Sequence, residues 1–481
     1  MSTLKQQAYK GIFWTALDRI SNQGLQFIIG IVLARILTPE EFGLVGMITV
    51  FIVISNVFID SGFGLALINK KETNIIEESS VFWLNLIVSI LVFVLLYFLS
   101  PYIANFYEEP ILTDITRVLG LTLVLQALGS IHLNLLTKEL DFKTQFRLTL
   151  TSKIVSGIVG IGAALYGFGV WALVFQRIVQ SFWQSAGLWI FHKWRPKLSF
   201  SLPELKPLWG YGSKLLASSL LSTVSDNIYS LVIGKGFSAA DLGYYRRAKG
   251  YQILPVSLLT STIGRVSFPI YSKVKDDSKK YLQLMRKSFS LMSFVSFPVL
   301  AGLAVMAKPI IIVMITDKWL PSVPYLQLLC IIGMLYPWNL MNVQALVAYG
   351  RSDLNLRITI IKNGLRLLNL FVMMNFSVLF IVVGEVFVSL LSILINSYYS
   401  RKIFNYGFIS QLMDLKRIFL STSLLVLITL IPLKLELSVE YTLTLQIMIF
   451  GVGFILLNRL INKDSFNDLL VNLKKLKSGK T

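Results

Sequence analysis

The sequence predicts an all-α polytopic membrane protein, and three observations support that fold class. Hydrophobic residues make up 55% of the 481 positions and charged residues only 15%. Apolar runs of about 20 residues, the length that crosses a bilayer as a helix, recur with short polar breaks. Runs such as LNLIVSILVFVLLYFL (84–99) are apolar on every side, so no face of such a helix suits water.

The apolar runs define about fourteen spans, six in the first half of the chain and eight in the second. The first six are expected near 12–36, 43–61, 80–104, 115–137, 148–166 and 169–191. The others are expected near 211–233, 249–271, 285–314, 324–349, 357–376, 378–400, 415–433 and 441–461. The first span lacks the short core and cleavage site of a signal peptide, so we expect it to be retained.

The spans and the breaks between them predict five segments along the chain. These are an N-terminal lobe at 1–194, an interfacial linker at 195–210, a C-terminal lobe at 211–405, two extra spans within 406–462 and a basic tail at 463–481. The linker is assigned by its prolines, basic residues and aromatics, which suit a membrane interface.

The formal net charge of +20 predicts an orientation in the membrane, and nucleic acid is not an expected partner. Cytoplasmic loops of membrane proteins carry an excess of Lys and Arg. Most basic clusters, including NKK (69–71), HKWRPK (192–197) and SKVKDDSKK (272–280), fall on one side of the predicted topology. We therefore expect both termini in the cytoplasm.

One basic cluster, YYRRAKG (244–250), falls on the outer side and breaks this pattern. Its cations, Arg246, Arg247 and Lys249, fit two interpretations. They form a patch at an outer gate that releases phosphate, or a helix-start cluster that packs against Asp241.

An internal repeat relates the two halves of the chain. Two segments that lie 200 positions apart match: ILTPEEFGLV (36–45) and GFSAADLGYY (236–245). In each, a turn precedes an apolar residue that is followed by glycine. Prolines in LSPYIANFY (99–107) and MAKPIIIVM (306–314) give a second, weaker match. Six spans per copy make the copies parallel, and such lobes usually enclose a cavity that opens to each side in turn.

The first span carries a polar stripe. Asp18, Asn22 and Gln26 follow one another at four-residue spacing on one helical face, with Arg19 beside them. An Asp or Arg at the centre of a span costs about 2.5–3.5 kcal/mol on the insertion scale, so the stripe is expected to face inward. The alternative is that Asp18 and Arg19 pair with neighbouring spans and only hold the bundle together.

Other polar residues within spans extend this set. They are Arg177, Asp226, Arg265 and Glu385. Lys153, Lys362 and Arg366 are interpreted as cations that extend to the cytoplasmic interface. Guanidinium groups match phosphate, and amides and hydroxyls match sugar hydroxyls. The expected cavity residues, Arg19, Asn22, Gln26, Arg177, Asp226 and Arg265, therefore favour an anionic cargo rich in hydroxyls.

Three stretches carry a resemblance to a known family. They are the segment at 11–47, which contains the motif A-R-x-L-x-P-x-x-F-G, the segment at 58–68, and LGYYRRAKGYQ (242–252). The chain resembles the polysaccharide-transport branch of the MOP exporter superfamily, the Wzx-like flippases of the colanic-acid and teichuronic-acid exporter type. The resemblance covers essentially the whole chain.

The resemblance implies a V-shaped, two-lobed bundle in the bacterial inner membrane. It would move undecaprenyl-pyrophosphate-linked repeat units to the outer leaflet, with Arg19 and Arg265 on the two spans where related flippases place basic residues. Spans thirteen and fourteen would help to hold the lipid tail.

No cofactor, metal site or catalytic residue is expected. The single cysteine, Cys330, has no disulfide partner, and no phosphate-binding GxxxxGK[ST] loop appears. A multidrug extruder of the same fold is the alternative within transport. A membrane-embedded polysaccharide polymerase or glycosyltransferase is disfavoured because the outer loops are too short for an active site.

The energy source stays open at this point. A proton or Na⁺ gradient would use Asp18, Asp226 or Glu385 as the coupling acid. Alternatively, a partner polysaccharide polymerase would consume the product and pull transport forward.

Overall fold

The computed structural model describes residues 2–60, 62–70, 72–274, 276–463 and 465–467. In these ranges the chain is almost entirely helical and contains no β-strand. The first eight helices are α1 (Ser2–Ile36), α2 (Pro39–Asp60), α3 (Phe63–Asn69), α4 (Ile75–Tyr107), α5 (Leu112–Lys138), α6 (Phe142–Leu165), α7 (Val170–Phe191) and α8 (Leu202–Gly236). The others are α9 (Ala239–Lys273), α10 (Ser278–Val305), α11 (Ala307–Ile315), α12 (Ser322–Ala348), α13 (Ser352–Met373), α14 (Val378–Phe404), α15 (Phe408–Thr429) and α16 (Val439–Ile461).

The helices confirm the predicted fold class, and each predicted span overlaps one of them. Within the described residues, nine helices have the length and hydropathy of membrane spans: α2, α4, α5, α6, α10, α12, α14, α15 and α16. The long helices outside this set, α1, α7, α8, α9 and α13, carry most of the intramembrane polar residues that the sequence analysis selected.

Two local features differ from the sequence prediction. The predicted span at 285–314 is two helices, because α10 ends at Val305 and α11 begins at Ala307, with Pro309 in its first turn. A proline is tolerated there because the first N–H groups of a helix have no intrahelical acceptor. The short helix α3 was not predicted. It follows Gly62, whose φ of 71° is a conformation that glycine adopts without strain.

The predicted linker is only partly a loop. Helix α8 begins at Leu202, earlier than the span expected at 211–233. The extended residues before it are attached to the start of α4: the Lys197 N–H donates to Ser79 Oγ (3.0 Å) and the Ser201 N–H donates to Ser80 Oγ (2.9 Å). These bonds fix the path of the chain into α8.

The helix starts confirm the repeat. At the start of α2, the Glu41 N–H donates to Thr38 Oγ1 (3.3 Å) and the Thr38 N–H donates to Glu41 Oε2 (2.7 Å). At the start of α9, the Asp241 N–H donates to Ser238 Oγ (3.1 Å) and the Ser238 N–H donates to Asp241 Oδ2 (3.3 Å). Both are capping boxes. Positions 38 and 41 therefore correspond to 238 and 241.

The glycines of the repeat contact each other's helices. A Cβ added at Gly43 would lie 1.7 Å from the carbonyl oxygen of Ala239, and one added at Gly243 would lie 1.9 Å from that of Pro39. Gly43 therefore leaves room for the backbone of Ala239, which lies four positions before Gly243. Gly243 leaves room for the backbone of Pro39, which lies four positions before Gly43. No other residue fits either position without separating the starts of α2 and α9.

The chain forms two compact units, residues 1–243 and 244–481. The first contains α1 to α8 and the start of α9, so α8 groups with the first unit although the sequence analysis assigned it to the C-terminal lobe. The second contains the remainder of α9 and α10 to α16. The lobe limits themselves stay a prediction.

A buried polar network joins α12, α14 and α15 in the second unit. Gln411 Oε1 accepts hydrogen bonds from Trp338 Nε1, from Asn342 Nδ2 (3.0 Å) and from Ser397 Oγ (3.1 Å). Gln411 Nε2 donates to Asn342 Oδ1 (2.9 Å) and to the Tyr406 carbonyl (2.9 Å). The Gln411 side chain of α15 thus satisfies polar groups from two other helices and a loop.

We expect Gln411→Leu to lower the free energy of unfolding by about 3 kcal/mol or more, because it leaves several buried donors and acceptors without partners. The unfolding midpoint of purified protein in detergent measures this loss. Lys416→Gln, at an exposed position of the same helix, is the control. Equal midpoints for the two variants would contradict the prediction.

Candidate functional site

The stripe predicted on the first span is present on α1. Asn22 Nδ2 donates a hydrogen bond to Asp18 Oδ1 at 2.7 Å. Asn22 is buried, Asp18 is half-buried and Gln26 is exposed. The stripe is therefore partly packed at Asp18 and Asn22 and accessible at Gln26.

A cation from α6 completes this stripe. The Lys153 ammonium donates to Gln26 Oε1 (2.9 Å) and to the Asn22 carbonyl (3.1 Å), and Asp18 acts on it electrostatically. Sequence analysis assigned Lys153 to the cytoplasmic interface; the structure instead places its ammonium on the α1 stripe. We define the α1–α6 polar face as Asp18, Asn22, Gln26 and Lys153.

Three further candidates of the first unit lie on α1, α7 and α8. Arg19 and Arg177 are half-buried, and neither guanidinium is bonded to another residue in the part of the chain that the structure describes. Asp226 is exposed on α8. The first unit thus holds two arginines whose donors are not used by the described protein groups.

The second unit has its own cluster of charges around one acid. Glu385 on α14 lies within electrostatic range of Lys249 on α9 and Arg366 on α13. Arg366 in turn acts on Lys362. Glu385 Oε2 is buried and accepts no hydrogen bond from the residues described. We define the Glu385 cluster as these four residues: one carboxylate, the two cations that act on it, and Lys362, on which Arg366 acts.

The three gate candidates have different surroundings. The Arg247 guanidinium lies over the ring of buried Trp319 (5.2 Å) and near that of Tyr251 (5.9 Å). The Lys249 ammonium lies 5.7 Å from the Tyr245 ring and faces Glu385, and Arg246 is half-buried. Arg247 is thereby held by aromatic packing, while Lys249 belongs to the Glu385 cluster.

Arg265 lies within α9, but its side chain falls outside the described residues. Sequence reasoning missed the grouping of Lys249, Arg366 and Glu385, although it selected Glu385 and Lys249 separately. No group of three or more His, Cys, Asp or Glu side chains suited to a metal ion occurs within the ranges given above.

Comparison with known proteins identifies the family. The profile of the polysaccharide biosynthesis protein family matches residues 32–324, which is more than half of the chain. The chain belongs to this family. The resemblance inferred from the sequence motifs is thereby confirmed.

Two relatives of similar sequence come from bacteria. The chain is 29% identical over 359 residues to the teichuronic acid biosynthesis protein TuaB of Bacillus subtilis (strain 168), covering 74% of each chain. It is 28% identical over 369 residues to the lipopolysaccharide biosynthesis protein WzxC of Escherichia coli (strain K12), covering 76% of this chain and 74% of the relative.

The fold of this polysaccharide biosynthesis family member also matches a solved structure. The inward closed conformation of the lipid II flippase MurJ superposes with a TM-score of 0.76 and 16% identity, covering 94% of this chain and 99% of that one. This match shows a shared fold for a multi-pass membrane protein.

Proposed function

We propose that the chain is a flippase that moves lipid-linked oligosaccharides, namely undecaprenyl-pyrophosphate-linked repeat units, by alternating access. The main observation behind the proposal is the α1–α6 polar face. The Lys153 ammonium of α6 lies against α1 beside the amides of Asn22 and Gln26, and Arg19 is on the same helix as these amides. Guanidinium and ammonium groups suit the pyrophosphate, and amides suit the sugar hydroxyls. The names of the relatives and the shared flippase fold support this assignment.

Each candidate residue has a proposed role in this cycle. Arg19, Arg177 and Arg265 bind the pyrophosphate, while Asn22, Gln26 and Asp226 bind the glycan. The polyprenyl chain stays in the lipid. No covalent bond forms or breaks, so the protein acts as a transporter and not as an enzyme.

The Glu385 cluster is the best candidate for energy coupling. A carboxylate that faces Lys249 and Arg366 changes its interaction with them when it gains a proton or binds Na⁺. Asp18 and Asp226 are the other candidate acids. Alternatively, a polysaccharide polymerase that consumes the product supplies the free energy for transport.

The proposed location is the bacterial inner membrane, with both termini in the cytoplasm. The clusters of Lys and Arg at 69–71, 192–197 and 272–280 support this orientation. Helix starts at Pro39 and Ala239 then lie at the outer side.

Reconstitution tests the proposal. Purified protein is placed in liposomes that contain a fluorescent lipid-linked oligosaccharide, and a membrane-impermeant glycosidase reports which leaflet holds the glycan. We expect wild type to move the lipid between leaflets, and Lys153→Met and Arg19→Ala to slow it at least about tenfold through loss of charge-assisted hydrogen bonds. Arg147→Ala, at an exposed position of α6, is the control.

Two outcomes would contradict the flippase assignment or the roles of Arg19 and Lys153. Failure of wild type to move the lipid faster than protein-free liposomes would contradict the flippase assignment. Equal rates for wild type and both variants would leave the activity in place but remove Arg19 and Lys153 from the cargo site.

A further inference from the structure

The second unit contains a polar cavity distinct from the Glu385 cluster. Its volume is about 370 Å³, and it lies between α10, α15 and the residues after α16. Its polar lining consists of Gln283, Arg286, Lys287, Ser290, Asp414 and Ser465. The proposed flippase mechanism gives no role to any of these residues.

The cavity presents a guanidinium that the protein holds in place. Arg286 Nε lies 3.4 Å from Asp414 Oδ2, and the guanidinium lies 5.0 Å from the centre of the Tyr406 ring. The Tyr406 hydroxyl donates to Asp414 Oδ2 at 2.7 Å. Asp414 and Tyr406 therefore orient Arg286, while its two terminal nitrogens are bonded to no residue within the described ranges.

Other donors of the cavity lie beside this guanidinium. Lys287 adds a second cation, and the hydroxyls of Ser290 and Ser465 lie 3.4 Å apart. Among the described lining residues, Asp414 is the one acid, and its carboxylate already interacts with Arg286 and Tyr406. The described lining thus carries two cations, one acid and several hydrogen-bond donors, which suits a phosphate group.

The surroundings of the cavity point to a lipid as the source of that phosphate. Two apolar side chains of α15 near Asp414 are exposed. Met413, directly before Asp414, is 70% exposed, and Ile409, five positions before it, is 72% exposed. Exposed apolar side chains beside a cationic pocket at a helix end fit acyl chains next to a headgroup.

We propose that this cavity binds the phosphate headgroup of an anionic phospholipid such as phosphatidylglycerol. Arg286 and Lys287 contact the phosphate, and Gln283, Ser290 and Ser465 contact the remainder of the headgroup. In the proposed orientation, the start of α10 and the start of α15 lie at the cytoplasmic side, so the lipid belongs to the cytoplasmic leaflet. The site does not depend on the proposed cargo.

Native mass spectrometry of the full-length protein tests this site without any cargo. Protein stripped of lipid in neutral detergent is titrated with dioctanoyl phosphatidylglycerol, dioctanoyl phosphatidylcholine, glycerol 3-phosphate or inorganic phosphate. We expect wild type to bind phosphatidylglycerol at least about tenfold more tightly than phosphatidylcholine, since basic residues near a lipid surface attract anionic headgroups. The water-soluble phosphates should bind more weakly than phosphatidylglycerol.

Two variants and one control separate the site from general surface charge. Arg286→Gln with Lys287→Gln removes both cations. Gln283→Glu adds a carboxylate to the wall at an exposed position and keeps the Arg286–Asp414 pair, so it remains informative if the first variant unfolds. Both should lose the preference for phosphatidylglycerol, and Lys279→Gln with Lys280→Gln, exposed on the same helix and outside the lining, should retain it.

Three results would overturn the proposal. The first is equal binding of the two phospholipids by wild type. The second is retention of the preference by Gln283→Glu. The third is binding of inorganic phosphate or glycerol 3-phosphate as tight as that of the lipid, which would assign the cavity to a soluble anion.

Discussion

Gly43→Ala and Gly243→Ala should each abolish most of the transport activity. An added methyl group would lie 1.7 Å from the Ala239 carbonyl oxygen in the first case and 1.9 Å from that of Pro39 in the second. The starts of α2 and α9 must therefore separate, and overpacking of this kind costs about 3 kcal/mol. The close approach of these two helix starts would then be lost, and we expect transport to be lost with it. Transport in the reconstituted assay and the unfolding midpoint measure both effects.

Gly250→Ala is the matched control for these two variants. Gly250 lies on α9, two turns beyond Gly243, and a Cβ at this position meets no atom within 4 Å. It should transport at the wild-type rate. If Gly43→Ala and Gly243→Ala also kept the wild-type rate, close approach of α2 and α9 would have no part in transport.

Glu385→Gln should lower the free energy of unfolding by about 1 kcal/mol, because it removes the negative charge that attracts Lys249 and Arg366. The change leaves the charges of Lys249 and Arg366 without the carboxylate that faces them. We expect this variant to lose transport activity as well as stability. The unfolding midpoint in detergent and the rate in proteoliposomes are the two measurements.

A second substitution separates the structural role of Glu385 from coupling. Lys249→Met in the Glu385→Gln background removes one of the two cations that act on Glu385, so we expect most of the lost stability to return. If Glu385 is the coupling acid, the double variant stays inactive with a proton or Na⁺ gradient. Recovery of gradient-driven transport in the double variant would show that Glu385 only balances charge.

The helices and the repeat could be predicted because they depend on local sequence. Hydropathy fixes where a span begins and ends, and the pairs at 38–41 and 238–241 are cap residues whose spacing is set by one helical turn. The short helix α3 and the break between α10 and α11 were missed. Each lies in apolar sequence, where the interruption depends on a single residue such as Gly62 or Pro309 and not on a change in hydropathy.

The site could be predicted only along single helices. Asp18, Asn22 and Gln26 share a face because of helical periodicity, and this requires no knowledge of packing. Lys153 is 127 residues from Gln26, and its contact depends on how α6 packs on α1. The Glu385 cluster draws residues from three helices. Hydropathy marks these residues as unusual, but only the packing shows which of them meet.

The lipid-linked oligosaccharide pool of a deletion strain tests the central claim most directly. Finished lipid-linked repeat units and the surface polysaccharide are measured in the deletion strain and after return of wild type, Arg19→Ala or Arg265→Ala, with insertion of each variant confirmed. If the protein is a flippase, the deletion strain loses the polymer and accumulates finished units. Wild type reverses both changes, and neither variant does. Persistence of the polymer with no accumulation of units would contradict it.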